Sequence, residues 1–110
     1  MKKLTWLPLI LLTLTIINYP NPFNPKGGEM ATIECQPDTT AEVSLYIYDM
    51  SARRIIQQTV NLQGGAVNRT TWNGYGSDNQ LVGTGVYLYR LVDTATKQSL
   101  GRGKIWVINK

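Results

Sequence analysis

The feature that most constrains this chain is a hydrophobic period of two, broken every few residues by Gly, Asn, Asp, Ser or Pro. Successive side chains of a strand point to opposite faces, whereas a helix needs apolar residues three and four apart. The clearest case is "EVSLYIYDM" at residues 42–50, where Val43, Leu45 and Ile47 share one face and Ser44, Tyr46 and Tyr48 the other. Burying the three aliphatics contributes roughly 1.5 to 3 kcal/mol each, an upper bound against an extended chain. In "EMATIEC" at residues 29–35, Ala31, Ile33 and Cys35 form the expected core face. Further runs lie at residues 53–62, 67–72, 86–95 and 103–108, divided by "DMSA", "QGGA", the long loop "NGYGSDNQLVGTG" and "TKQ". With a strand at "NYPNPFN", this predicts an all-β antiparallel sandwich of about seven strands.

A chain of 110 residues holds one small domain. Cys35 is the single cysteine and histidine is absent, so no intramolecular disulfide, Cys/His zinc site or His-dependent nucleophile can be built. Cys35 reads as a small buried hydrophobe. The seven carboxylates form no pair with glycosidase or aspartic-dyad spacing, and Asp49, Asp78 and Asp93 fall where turns need Asp. "GRGK" at residues 101–104 lacks the upstream glycine, following Ser/Thr and helix of a phosphate loop, "SDNQ" is too short for a calcium loop, and Asn68-Arg69-Thr70 matches a glycosylation triplet without further support. The chain is expected to be no enzyme and to carry no catalytic residue, cofactor or metal. The formal charge is +4, but Lys2 and Lys3 sit at the extreme N-terminus and the other basic residues are scattered. Arg53 and Arg54 are adjacent and point to opposite faces of a strand, so neither a basic patch nor a nucleic-acid partner is expected.

The start, "MKKLTWLPLILLTLTII", has two lysines and an apolar run shorter than the roughly 20 residues of a membrane span. Residues 1–17 therefore read as a signal peptide or hydrophobic leader and residues 18–110 as the sandwich. No small-x-small cleavage site follows, which leaves open an uncleaved anchor, or a run that is partly the first strand of the domain. Contact with a membrane is expected only through this leader.

Five fragments in order, "NYPNPFNP", "VSLYIYD", "TTWNG", "GTGVYLYRL" and "GKIWVINK", resemble the immunoglobulin-like domain of flagellar hook-capping proteins and of the C-terminal tails of proteins exported by the type IX secretion system. The resemblance covers residues 18–110 and implies an immunoglobulin-like β-sandwich. Tyr19, Pro20, Asn21, Pro22, Phe23, Asp49, Trp72 and Gly74 are its signature positions. Ala52 and Asn79 stand where the family has glycines, so Ala52 is either left-handed or part of a turn of another shape, Asn79 is the residue next most tolerant of the left-handed region, and Asn73 replaces an aspartate in the turn after Trp72. Trp72 reads as a core anchor rather than a sugar-stacking residue. Gly85, Val86 and Tyr87, with the ending from Lys104 to Lys110, resemble the stretches recognised during export.

The resemblance implies a non-catalytic sorting or anchoring module of a Gram-negative bacterium, secreted or held at the cell surface. Its partners would be a secretion translocon and a surface transpeptidase. The alternative is a structural or adhesive domain, either a hook-cap-like assembly module or a cell-surface binding unit. In "NYPNPFNP" the prolines lack amide donors and hold extended geometry, so the stretch is expected to form the opening strand at a sheet edge. Tyr19 and Phe23 would tuck inward while Asn21 and Asn24 bond amides that lack a regular ladder.

Overall fold

The alternation decides which face each strand buries, and the computed structural model, which describes residues 14–110, has two antiparallel sheets closing over those faces. The strands are β1 (Ile16–Tyr19), β2 (Ala31–Cys35), β3 (Ala41–Tyr48), β4 (Arg54–Leu62), β5 (Asn68–Trp72), β6 (Gly85–Asp93) and β7 (Ser99–Val107). One sheet has the order β1-β2-β5 and the other β4-β3-β6-β7. This is the expected all-β sandwich of seven strands. Its core is Ala31, Ile33 and Cys35 from one sheet against Val43, Leu45, Ile47, Tyr87, Tyr89, Leu91, Ile105 and Val107 from the other, with Phe23, Leu62, Trp72 and Val82 filling in. The faces read from β2 and β3 are the buried ones. Burial of the Cys35 thiol, with the Glu34 charge beside it, raises its pKa.

The turns follow the side-chain chemistry of Asp and Asn. A carboxylate oxygen of Asp49, Asp78 or Asp93 accepts the amide two residues on, from Ser51, Gln80 or Ala95. Asp49 and Asp93 are held below the usual carboxylate range, Asp49 chiefly by the Arg53 amide and Asp93 by those of Thr96 and Ala95. Ala52 and Asn79 adopt the left-handed conformation, at φ 65° and 64°. Lys97 does so too, at φ 65°.

Three readings are corrected. The opening strand is not the proline stretch but Ile16–Tyr19, paired antiparallel with β2, so the boundary drawn between residues 17 and 18 falls inside β1. Leu14 and Ile16 pack on the core, and the Leu14 amide donates to the Leu100 carbonyl at 3.0 Å. An apolar leader and an apolar strand look alike in composition; the rest of the expected leader, 1–13, lies outside the described residues. Tyr19 does not tuck inward. The β1 alternation turns it to solvent, 40% exposed, where its hydroxyl donates to Glu34 Oε1 at 2.8 Å, while Phe23 is buried as expected. Finally, β7 begins at Ser99 rather than 103, because inward positions filled by Gly101 and Gly103 hide its alternation. They lie opposite Leu91 and Tyr89, small against large.

Gly103 is fixed by that pairing: a Cβ there would come within 2.5 Å of the Tyr89 hydroxyl oxygen and 2.6 Å of its ring. Gly103→Ala is expected to destabilise by about 1–3 kcal/mol through overpacking, and Ala52→Gly to stabilise by up to about 1 kcal/mol through relief of the left-handed residue, net of added unfolded-state entropy. Urea midpoints of the two variants moving in opposite directions would check both.

Candidate recognition end of the sandwich

Parts of the signature fragments, Phe23, Pro25, Trp72, Gly74 and Tyr87 with the end of the chain, meet at one end of the sandwich. Without proline amides, "NYPNPFNP" cannot continue β1's ladder, and it crosses between the sheets through two cis X-Pro bonds, Tyr19-Pro20 and Asn21-Pro22. Beyond them the backbone meets the end of the chain. The Phe23 amide donates to the Trp106 carbonyl at 2.9 Å and the Ile108 amide to the Phe23 carbonyl at 3.0 Å, a short parallel bridge at Phe23 and Val107. Asparagines complete the clasp as expected: Asn21 Oδ1 accepts the Trp106 amide at 2.8 Å and Asn24 Oδ1 the Lys110 amide at 3.1 Å. Asn24 Oδ1 also accepts the Gly27 amide, capping the 3-10 turn at Pro25–Gly27.

Beneath the clasp, Phe23, Trp72 and Tyr87 form an aromatic row. The Phe23 and Trp72 ring centroids are 5.6 Å apart, and Trp72 meets Tyr87 nearly edge-on at 5.7 Å. Trp72 is 2% exposed and its indole N–H donates to the Tyr75 carbonyl, so it is a core anchor with no face free for a sugar. Asn73 Oδ1 accepts the Tyr75 amide, which keeps the turn role expected of it. Gly74 is buried at φ 84°, and a Cβ on it would run into the Pro25 ring. The "TTWNG" turn thus packs directly on the proline stretch. Asp49 and Tyr87 both line a hollow of about 300 Å³.

The two stretches that resemble export signals pair as one ladder. Gly85 pairs with Val107, Val86 with Trp106, Tyr87 with Ile105 and Leu88 with Lys104. Tyr87 is buried, its hydroxyl donating to the Gly83 carbonyl at 2.7 Å, so of the three residues Gly85, Val86 and Tyr87 it serves the core. Lys104 is exposed in mid-strand, and Lys110 is exposed beside Asn24.

Sequence reasoning singled out neither Asn18 nor Asn109. Asn18 Nδ2 donates to the Lys104 carbonyl at 2.9 Å and its Oδ1 accepts the Tyr89 hydroxyl at 3.0 Å, so one side chain ties β1 to β6 and β7. Asn109 ties the ending to the long loop: its amide donates to Thr84 Oγ1 and its Nδ2 to the Val82 carbonyl. The only available signal was the density of asparagine at both ends of the domain. Burial raises the Tyr89 phenol to about 12. On the outer face of the other sheet, the Tyr19 hydroxyl first and Arg69 next hold Glu34 below the usual carboxylate range.

No family profile and no curated protein matches the sequence. Solved structures do. Residues amounting to 86% of this chain superimpose on dimeric latent PorU from Porphyromonas gingivalis, with TM-score 0.71, 24% identity and 9% of that chain covered. A similar match, with TM-score 0.59 and 28% identity over 86% of this chain and 11% of that one, is to PorZ of the same organism, described as an essential surface component of its type IX secretion system. FlgD from P. aeruginosa matches at TM-score 0.61 and 12% identity, covering 86% of this chain and 73% of that one. The chain thus spans about a tenth of the length of the two Porphyromonas proteins.

Two outcomes follow from this geometry. Asn24→Ala removes a cap and a clasp bond and is expected to cost about 1–2 kcal/mol, with faster hydrogen exchange at the Gly27 and Lys110 amides. With no histidine, stability should be flat from about pH 5 to 8. It should fall in acid as Glu34, Asp49 and Asp93, each depressed in the folded state, are protonated. It should fall again in alkali as Cys35 and Tyr89, each raised in the folded state, ionise. Urea titrations across pH should show the alkaline limb shrinking in Tyr89→Phe. The fragments whose sequence resembles the immunoglobulin-like domain of hook-capping and type IX-exported proteins also carry its fold, in a sandwich similar to parts of PorU, PorZ and FlgD.

Proposed function

We propose that this chain is a non-catalytic, exported β-sandwich module that a type IX secretion translocon recognises for delivery to the cell surface, with release or anchoring by a surface transpeptidase. One observation supports this reading above the rest: the ladder from Gly85 to Leu88 against Lys104 to Val107, with the clasp beside it, makes one folded surface out of the stretches that resemble export signals. The similarity to parts of PorU and PorZ agrees with it. Recognition would read the folded end of the sandwich rather than a loose tail, since Ile108, Asn109 and Lys110 are each held by a backbone amide.

Residues 14–110 placed behind an exported reporter should reach the surface only in a host with type IX secretion. Deleting Lys104 to Lys110 would take Ile105 and Val107 out of the core, so exposed substitutions are the sharper probe. Lys104→Ala with Lys110→Ala is expected to lower surface delivery several-fold with an unchanged urea midpoint. Equal delivery in both hosts would rule the sorting reading out. The hook-cap-like or adhesive reading instead predicts that export survives these substitutions while assembly or surface binding fails.

A further inference from the structure

The sequence scatters its basic residues, but the fold gathers four of them on the outward face of the sheet β4-β3-β6-β7, correcting the expectation of no patch. Register places Tyr46, Arg90 and Arg102 in one row and Arg54, Tyr48, Leu88 and Lys104 in the next, with Val86 and Trp106 at the end. The Arg54 guanidinium lies 5.8 Å from the Tyr46 ring centroid, which confirms the shared face. Arg90 and Arg102 are directly cross-strand, and like charges so placed destabilise a sheet. Neither has an ion-pair partner among the described residues, where the two pairs present are Arg53 with Asp49 and Arg69 with Glu34. Arg90 and Arg102 both border an open hollow of about 670 Å³, lined also by Tyr48, Ala52, Leu88 and Lys104. Its walls are mostly apolar and its rim cationic.

From this we infer that the outer face of the four-stranded sheet docks an acidic peptide segment of a partner protein, with an aliphatic side chain of that segment in the hollow and its carboxylates on Arg90, Arg102 and Lys104. Charge complementarity carries the assignment: the rows hold four cations and no carboxylate. Arg, Tyr and Trp are also the residues that dominate protein-binding hot spots. A second copy of the chain is a poor occupant, because six of its seven carboxylates already accept hydrogen bonds of their own, at Glu29, Glu34, Glu42, Asp49, Asp78 and Asp93. For nucleic acid the face is a poor platform at Tyr46, flanked by Tyr48 at 6.1 Å between ring centroids and by Arg54, but Trp106 keeps an exposed ring, so a single strand is compared directly in the test. The inference stands on this face alone and does not depend on the sorting reading.

The test is fluorescence anisotropy of the full chain with a short labelled peptide of glutamate and leucine. Phosphatidylglycerol vesicles, oligothymidine and the glutamine-leucine peptide serve as comparators. Binding to the acidic peptide should weaken several-fold when salt rises and at least tenfold in the double variant Arg90→Gln, Arg102→Gln. That variant should keep or raise the urea midpoint, because it removes a repulsive pair; a merely structural role for the arginines would lower it. The inference is overturned if the acidic peptide does not bind, if the glutamine peptide or the double variant binds equally well, or if vesicles or oligothymidine bind more tightly through the same arginines.

Discussion

Two backbone hydrogen bonds at Phe23, one to the Trp106 carbonyl and one from the Ile108 amide, hold the rest of this structure in its arrangement. They join the segment leaving the first strand to the segment ending the last, and so close the sandwich along the side where β1 and β7 would otherwise present open edges. An unpaired edge is a template for unwanted pairing. Here Leu14, Asn18, Asn21 and Phe23 in turn occupy backbone groups of β7 from Leu100 to Trp106. The prolines make this possible by ending β1's ladder early. Asparagine side chains then supply the bonds that proline nitrogens cannot.

The aromatic row depends on the same clasp, since Phe23 reaches Trp72 only because its backbone is pinned above β7. Trp72 in turn reaches Tyr87, and Gly74 lets its turn close on Pro25 without a Cβ in the way. A domain of this size buries only a little over 60% of its unfolded surface. Close contacts of large rings and glycines concentrate that burial where the signature fragments meet.

The four-stranded sheet divides its labour between faces. Inward, aliphatics and two tyrosines make the core. Outward, tyrosines and tryptophan lie among arginine and lysine; the one carboxylate on this face, Glu42 at the far end of β3, accepts from Thr94, while Asp49, Asp78 and Asp93 hold turns and Glu34 braces against Tyr19 and Arg69. Like charges left facing each other oppose folding, and a bound acidic partner would relieve them.

Local pattern determined the strands, because a period of two and the turn chemistry of Asp, Asn and Gly act over a few residues. The faces of β2 and β3 and the turns at Asp49 and Asp93 were legible from that, whereas the left-handed Ala52 and Asn79 and the buried Trp72 came from the family resemblance. The start of β7 was not, since glycine has no side chain to show a period and only Tyr89 across the ladder explains Gly103. Nor was the start of β1, whose isoleucines read equally well as a leader. Which distant residues meet was decided by tertiary structure alone: the pairing of Gly85 to Leu88 with Lys104 to Val107, the seat of Lys110 on Asn24, the bridge of Asn18 to Tyr89 and the gathering of Arg54, Arg90, Arg102 and Lys104. The physical reason is register. A strand's sequence states which side chains share a face, but only the hydrogen-bonded partner strand states what lies beside them.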